Sequence, residues 1–147
     1  MIVKNLRASR EYILNISQIQ LSKILNVHPS TISGWETGKD TIPIKRLIQY
    51  ANMFNFSLDF LFGVTNKNRE YQKLILDLDI LSMNLKRIRK SNNMTQSKVA
   101  NLINTNQNSY THYETGINII PTSFLYNLTK IYRPFSIDEL FGRKRIK

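Results

Sequence analysis

The chain carries one motif twice, and the repeat includes its turn residues. Trp-Glu-Thr-Gly at residues 35–38 returns as Tyr-Glu-Thr-Gly at residues 113–116, an offset of 78. Further along, Ser-Leu-Asp-Phe-Leu-Phe-Gly at residues 57–63 returns as Ser-Ile-Asp-Glu-Leu-Phe-Gly at residues 136–142, an offset of 79. Four of the five glycines pair in this way, which indicates that the same tight turns are built twice. We therefore predict two copies of one small domain.

Apolar residues recur at helical spacing between the turn residues of both copies. The predicted fold is all-α, with two tandem five-helix domains at residues 1–65 and 80–147, the second ending in a basic C-terminal tail. Residues 66–79 are predicted to form a linker, for which two readings are open. Apolar residues from Tyr71 onward have helical spacing, which favours one helix running into the second domain, whereas residues 76–80 alternate like a strand.

A helical linker would also create an apolar stripe formed by Leu76, Ile80 and Met83. Two roles are open for this stripe. It either packs the two copies against each other or joins two chains in a homodimer.

Charge distinguishes the two copies. Lys and Arg number 21 against 10 Asp and Glu, a formal net charge of +11. Residues 1–65 carry +3, residues 66–79 carry none and residues 80–147 carry +8. A small protein this basic attracts polyanions, of which nucleic acid is the default, although net charge also keeps proteins soluble. We expect the second copy to be the stronger phosphate binder.

Each copy contains a helix, a short turn with Asn26 or Asn104, and a second helix, which is the helix-turn-helix arrangement. In this motif the second helix, called the recognition helix, enters the DNA major groove while the first crosses the backbone. The residues that define these elements are residues 17–18, 21–22, 25–27, 31–33 and 35–38, and again 95–96, 99–100, 103–104 and 113–116. They closely resemble the lambda-repressor-like, Cro-type (xenobiotic-response-element) family. The resemblance implies two five-helix bundles that bind double-stranded operator DNA.

The resemblance also implies roles for individual positions. Amide, hydroxyl and imidazole groups on the recognition helices can hydrogen-bond base edges. The base-reading candidates are Asn106, Gln107, Asn108, Thr111 and His112 in copy two, and His28, Pro29, Ser30 and Ser33 in copy one. Copy one has fewer discriminating groups, so we expect copy two to read sequence more selectively.

Phosphate contacts are expected from two sets of residues. The first set stands at the starts of the first motif helices and comprises Ser17, Gln18, Thr95 and Gln96, of which the two glutamines would also brace the recognition helix. The second set is basic: Lys39, Lys86, Arg87, Lys90, and Arg143, Lys144 and Arg145 in a tail that also holds Lys147.

Other matching residues are assigned to structure. Glu36 and Glu114 resemble the buried acid of the family, and a carboxylate facing phosphate would repel it. Arg10 and Arg89 are the candidates to pair with these acids. Trp35 and Tyr113 are predicted core residues.

The sequence gives no support for an enzyme, a metal-binding protein, a secreted protein or a membrane protein. The chain has no cysteine, no glycine-rich phosphate loop and two histidines that both fall in recognition segments. Asp77 and Asp79 are neighbours without a third metal ligand. The first residues lack the apolar stretch of a signal peptide, and no segment has the ~18 apolar residues of a membrane span. We expect a cytoplasmic protein that is not an enzyme, takes no cofactor or metal and does not contact membranes.

Two functional hypotheses remain. The first is a sequence-specific DNA-binding transcriptional regulator, a repressor, whose two modules act as a fused, asymmetric dimer. The second is a protein-interaction or inhibitor module of a mobile genetic element that docks on a protein or nucleoprotein partner. The richness in Ile, Asn and Lys is typical of an AT-rich bacterial or phage genome.

Overall fold

The computed structural model describes residues 2–146 and divides the chain into two compact units, Met1–Tyr71 (unit one) and Gln72–Lys147 (unit two). The predicted all-α fold of two tandem five-helix domains is confirmed. The helices of unit one are α1 (Leu6–Ala8), which continues as a π-helical segment (Ser9–Leu14), α2 (Gln18–Leu25), α3 (Pro29–Thr37), α4 (Ile44–Phe54) and α5 (Leu58–Phe62). The helices of unit two are α6 (Leu78–Ser91), α7 (Gln96–Leu102), α8 (Gln107–Glu114), α9 (Thr122–Ile131) and α10 (Ile137–Leu140).

Local capping residues set the starts and ends of the motif helices. The Ser17 hydroxyl accepts a hydrogen bond from Gln20 N–H, and the Gln20 side chain accepts one from Ser17 N–H, which is a capping box. Thr95 caps α7 by accepting from Lys98 N–H. After these helices, Asn26 (φ 55°) and Asn104 (φ 72°) adopt the left-handed conformation, which asparagine tolerates better than most residues. The turn before the recognition helix is therefore of the same kind in both units.

The two units bury equivalent positions. Three pairs of fully or nearly fully buried side chains are related by the offset of 78: Leu21 and Val99, Ile32 and Tyr110, and Leu47 and Leu125. Because the recognition helix contributes Ile32 or Tyr110 to these cores, its opposite face is held outward in both units.

The π-helical segment of unit one absorbs an extra residue. The interval from Arg10 to the cap Ser17 is one residue longer than the interval from Arg89 to the cap Thr95. A π-helical turn accommodates one more residue than an α-helical turn. Arg10 and Arg89 consequently occupy equivalent places although the offset between them is 79 and not 78.

The helical reading of the linker is wrong. Residues 66–77 contain no helix, and α6 begins at Leu78 because the Asp77 carboxylate caps it by accepting from the N–H groups of Asp79 and Ile80. The boundary between the units falls inside the predicted 66–79 linker, after Tyr71. Periodicity misled here because Leu74 is buried in a segment without helix, whereas the adjacent Ile75 is exposed.

The predicted apolar stripe is also not formed. Leu76 precedes α6, so it cannot continue the face of that helix. Ile80 lies against Gly142 of its own unit, so close that a Cβ on the glycine would be 2.7 Å from Ile80 Cγ2. Met83 is 62% exposed. A homodimer would therefore need a surface other than a stripe of these three residues.

Candidate nucleic-acid interface

The recognition helices are α3 in unit one and α8 in unit two. Each packs on the preceding motif helix, α2 or α7. Ile32 and Trp35 of α3, and Tyr110 and Tyr113 of α8, are buried, and in each helix one face remains accessible. Trp35 and Tyr113, the two predicted core residues, are therefore inward-facing.

Unit two presents amide groups at the start of its recognition helix. Gln107 and Asn108 are exposed at the first two positions of α8. Asn106 caps the helix, because its Oδ1 accepts from Ser109 N–H at 2.8 Å, which leaves its Nδ2 as the group that could reach DNA. His112 is half-buried one turn further along. Two free amides and one amide nitrogen thus stand together where the motif meets base edges.

Gln96 braces the recognition helix of unit two. Its Oε1 accepts from the Thr111 hydroxyl at 2.9 Å, and its Nε2 donates to Glu114 Oε1 at 3.1 Å. The Thr111 hydroxyl also lies 2.9 Å from the Gln107 carbonyl. In unit one, Gln18 Nε2 donates to Glu36 Oε1 at 3.0 Å. Thr111 and the two glutamines therefore have partners within the protein, and their contribution to DNA binding would come through the placement of the helix.

A buried ion pair fixes each recognition helix to the first helix of its unit. Arg10 donates from Nε and Nη2 to Glu36 Oε2 and Oε1 at 2.6 and 2.9 Å, and Arg89 contacts Glu114 in the same way at 2.7 and 3.0 Å. Each arginine also donates to a backbone carbonyl, Ile16 O or Met94 O, at 2.8 Å. All four side chains are at most 10% exposed.

The electrostatics of these pairs favour their charged forms. The hydrogen bond with Glu36 raises the pKa of Arg10, and the bond with Glu114 raises the pKa of Arg89. Burial raises the pKa of Glu114, but the hydrogen bonds that it accepts, above all from Arg89, leave that pKa below its ordinary value. Glu114 is therefore an ionised structural group, and both acids are buried at the contact between helices.

Unit one has fewer groups suited to base reading at the start of its recognition helix than unit two. His28 caps α3, because its Nδ1 accepts from Ser30 N–H at 3.1 Å and lies 2.7 Å from the Ser30 hydroxyl. Pro29 occupies the first helical position and has no N–H to donate. Ser33 is half-buried. On α3 and its cap, the side-chain groups that can reach a groove are hydroxyls and one imidazole nitrogen, without an amide.

The structure separates the basic phosphate candidates into two groups. The exposed candidates are Lys39, Lys86, Arg87, Lys90, Lys144 and Arg145. The prediction for Arg143 is wrong: its side chain is 2% exposed, it forms an ion pair with Asp138 at 3.0 Å and it donates to Gln72 O at 2.8 Å. The charge pattern misled because Arg143 is the first of three basic residues, of which only the next two are on the surface. Lys147 lies outside the described residues.

Sequence reasoning missed one residue beside the recognition helix of unit one. Asp40 lies against Gly34, and a Cβ on that glycine would be 2.8 Å from Asp40 Oδ2. The signal was present in the repeat, because the offset of 78 aligns Gly34 with His112 and Asp40 with Asn118.

Two kinds of feature are absent within residues 2–146. No three His, Cys, Asp or Glu side chains in this range come together in a way that could hold a metal ion. None of the helices in this part of the chain combines the length and apolarity that crossing a bilayer requires.

Comparison with known proteins identifies the family. A family model described as helix-turn-helix matches twice, over residues 6–61 and 85–140, which together make up most of the chain. No curated protein and no solved structure matches the chain. The matched segments contain the capped motif helices, the recognition helices and the buried Arg–Glu pairs of both units, in a family of DNA-binding regulators. The chain belongs to the lambda-repressor-like, Cro-type helix-turn-helix family, with two tandem copies of the domain.

Proposed function

We propose that this protein is a sequence-specific transcriptional repressor that binds double-stranded operator DNA in the cytoplasm through two unequal helix-turn-helix units. The observation that carries the proposal is the exposed amide cluster of Gln107 and Asn108 at the N-terminal end of α8. Glutamine and asparagine can hydrogen-bond adenine edges bidentately, so this end of the helix has the chemistry that base reading requires.

The fixed position of α8 supports the same proposal. Gln96, Thr111 and Glu114 form a hydrogen-bonded chain from α7 to α8, and Arg89 connects it to α6. A recognition helix held at several points loses little conformational entropy on binding, which favours discrimination between base sequences. We assign the same bracing role to Gln18 in unit one.

Phosphate binding is assigned to exposed groups. Lys86, Arg87 and Lys90 on α6, Lys39 after α3, and Lys144 and Arg145 near the C-terminus are exposed cations. The capping hydroxyls of Ser17 and Thr95 keep a hydrogen that can be donated to phosphate. Joining two units in one chain makes the second DNA contact intramolecular, which raises affinity without a second chain.

The first test is fluorescence anisotropy at about 0.15 M salt, with the DNA upstream of the protein's own gene and a scrambled duplex as the control. Specific readout predicts binding at least ~10³-fold tighter to the upstream DNA. Equal and weak binding to both duplexes, falling steeply with salt, would mean that only phosphates are recognised and would contradict the proposal.

The second test removes the amides of unit two. Gln107→Ala combined with Asn108→Ala should abolish the preference for the selected sequence while leaving binding to the scrambled duplex almost unchanged. Asn66→Ala combined with Gln72→Ala is the matched control, because it removes the same two kinds of exposed amide from outside the helix-turn-helix motifs. Repression is tested separately with a reporter gene under the upstream promoter, whose expression should rise in the Gln107/Asn108 variant.

One observation favours the second candidate function, docking on a protein partner. Unit one exposes Tyr12 (82%), Ile13 and Ile19, where unit two has serine and asparagine in the corresponding segments. Replacing the three with Ser, Asn and Ser should leave DNA selectivity intact if the protein is only a DNA-binding regulator. Loss of biological activity with unchanged DNA binding would instead establish the docking function.

A further inference from the structure

The outward face of α3 carries a side chain that does not belong to that helix. Ser30, Ser33, Gly34 and Thr37 have the spacing of one helical face. Gly34 has no side chain, and the space that a Cβ would occupy is bordered by Asp40, with Oδ2 at 2.8 Å and Cγ at 3.6 Å. The Asp40 carboxylate thus lies on α3 where a side chain at position 34 would begin.

Unit two has different side chains at the equivalent positions. The two loops share one backbone hydrogen bond, because Asp40 N–H donates to Gly34 O at 3.1 Å and Asn118 N–H donates to His112 O at 3.2 Å. At this place unit two has the imidazole of His112 and the neutral amide of Asn118. The two units therefore present different chemistry at equivalent points of their recognition surfaces.

The surroundings of Asp40 are accessible and include several polar side chains. Asp40 lines a shallow depression of about 440 Å³ together with Ser30, Ser33, Thr37 and Lys39. Asp40 itself is exposed. An ionised carboxylate only accepts hydrogen bonds, so its complement must be a donor.

Few groups of the DNA major groove meet this requirement. Cytosine presents its N4 amino group as a donor, and Asp or Glu accepting from it is an established pairing. Adenine also has an amino donor, but its N7 acceptor lies beside it and repels a carboxylate. Guanine and thymine present acceptors there, and the phosphate backbone repels the carboxylate as well.

We infer that Asp40 is a specificity-determining residue of unit one, whose carboxylate accepts a hydrogen bond from cytosine N4 and so sets a cytosine in the half-site of that unit. This inference rests on the proposed DNA-binding function. It also gives unit one a discriminating group that its hydroxyls do not supply.

The test is selection of binding sites from a random duplex library, followed by anisotropy with the selected site and its single-base variants. The wild-type protein should prefer cytosine at one position by about fivefold or more, the lower end of what one base-edge contact contributes. Asp40→Asn keeps the shape and adds donors, so the preference at that position should shift from cytosine to adenine. The base preferences due to Gln107 and Asn108 should not change.

Two further variants separate position from charge. Gly34→Ala adds a methyl group that displaces the tip of the Asp40 side chain but keeps its charge, so the cytosine preference should weaken while overall affinity changes little. Glu70→Gln is the charge control, because it removes one exposed carboxylate from outside the recognition helices. It should raise affinity for all sequences slightly and alter no base preference.

The outcomes distinguish this inference from the proposed function. If Asp40→Asn tightens binding to all sequences equally, as Glu70→Gln does, Asp40 acts only through repulsion and the inference is overturned alone. An unchanged preference in Asp40→Asn overturns it too. If the wild-type protein selects no sequence and the Gln107/Asn108 variant is silent, the proposed function fails and the inference fails with it.

Discussion

Replacing Arg89 with Met should destabilise unit two by about 3–5 kcal/mol at pH 7, the usual cost of removing one partner of a buried ion pair. The Glu114 side chain is 1% exposed, and Arg89 binds both of its oxygens. Without Arg89, the carboxylate keeps the Gln96 amide at 3.1 Å. A nearly unpaired charge is then left in the interior of the unit, and Met94 O loses its side-chain donor as well.

Protonation limits the cost of the stranded charge. A glutamic acid with a pKa near 4.3 in the unfolded chain costs about 3.7 kcal/mol to protonate at pH 7. If the buried carboxylate cost more than this, the variant would bind a proton instead. Removing the hydrogen bond to Met94 O adds about 1 kcal/mol. Both figures together agree with the range expected for a broken buried pair.

The pH dependence of the wild type and the variant should have opposite signs. In the wild type the pKa of Glu114 is lowered, because the hydrogen bonds from Arg89 and other donors outweigh the effect of burial. Its contribution to stability is present above about pH 4.3 and lost as the pH falls. In Arg89→Met burial prevails and raises the pKa of Glu114, so stability is complete below about pH 4.3 and is lost as the pH rises. The difference between the two proteins should therefore grow from pH 4 to pH 7.

Urea unfolding followed by far-UV circular dichroism at several pH values measures this difference. Trp35 is the one tryptophan of the chain and lies in unit one, so its fluorescence reports that unit. Arg10→Met, the equivalent change in unit one, should shift the fluorescence transition. Arg87→Met is the control on α6, because Arg87 is exposed and its replacement should cost under about 0.5 kcal/mol. A destabilisation below about 1 kcal/mol in Arg89→Met at pH 7, or one independent of pH, would refute the reasoning.

Three further predictions concern other buried and exposed groups. Arg143→Met should lower the free energy of unfolding by about 3–5 kcal/mol in urea titrations, because the side chain is buried in an ion pair. The salt dependence of DNA binding should not change. A smaller salt slope with full stability would show that Arg143 binds phosphate instead. Lys86→Gln with Lys90→Gln should reduce the slope of log K against log salt by about 1 for each phosphate that is no longer bound, whereas Lys67→Gln with Lys73→Gln, outside the motifs, should leave it unchanged. Burial raises the pKa of Tyr132 to about 12. Its contribution to stability is therefore complete below about pH 10 and is lost above it at up to about 1.4 kcal/mol per pH unit. A circular dichroism signal that stays constant up to pH 12, while tyrosine absorbance shows that the phenol groups have ionised, would contradict this.

Part of the structure was readable from short stretches of sequence. The helix ends are set by residues that act on backbone groups close to them in sequence, namely Ser17, Thr95 and the left-handed Asn26 and Asn104. The nearby sequence is therefore enough to predict their effect. The repeat extended these assignments from one unit to the other. The extra residue between Arg10 and Ser17 was visible too, although its form as a π-helical segment was not.

The placement of the remaining groups depended on which other groups pack against them. Arg143 is indistinguishable in sequence from the exposed basic residues that follow it, and its burial follows from its contacts with Asp138 and the distant Gln72 carbonyl. The Asp40 carboxylate takes a place on α3 because Gly34 leaves that place empty. The family, the all-α fold and the paired domains follow from the sequence, because they rest on local signals repeated at a constant offset. Tertiary structure decided which charged groups face solvent, because burial depends on what packs against a side chain and not on which residues adjoin it.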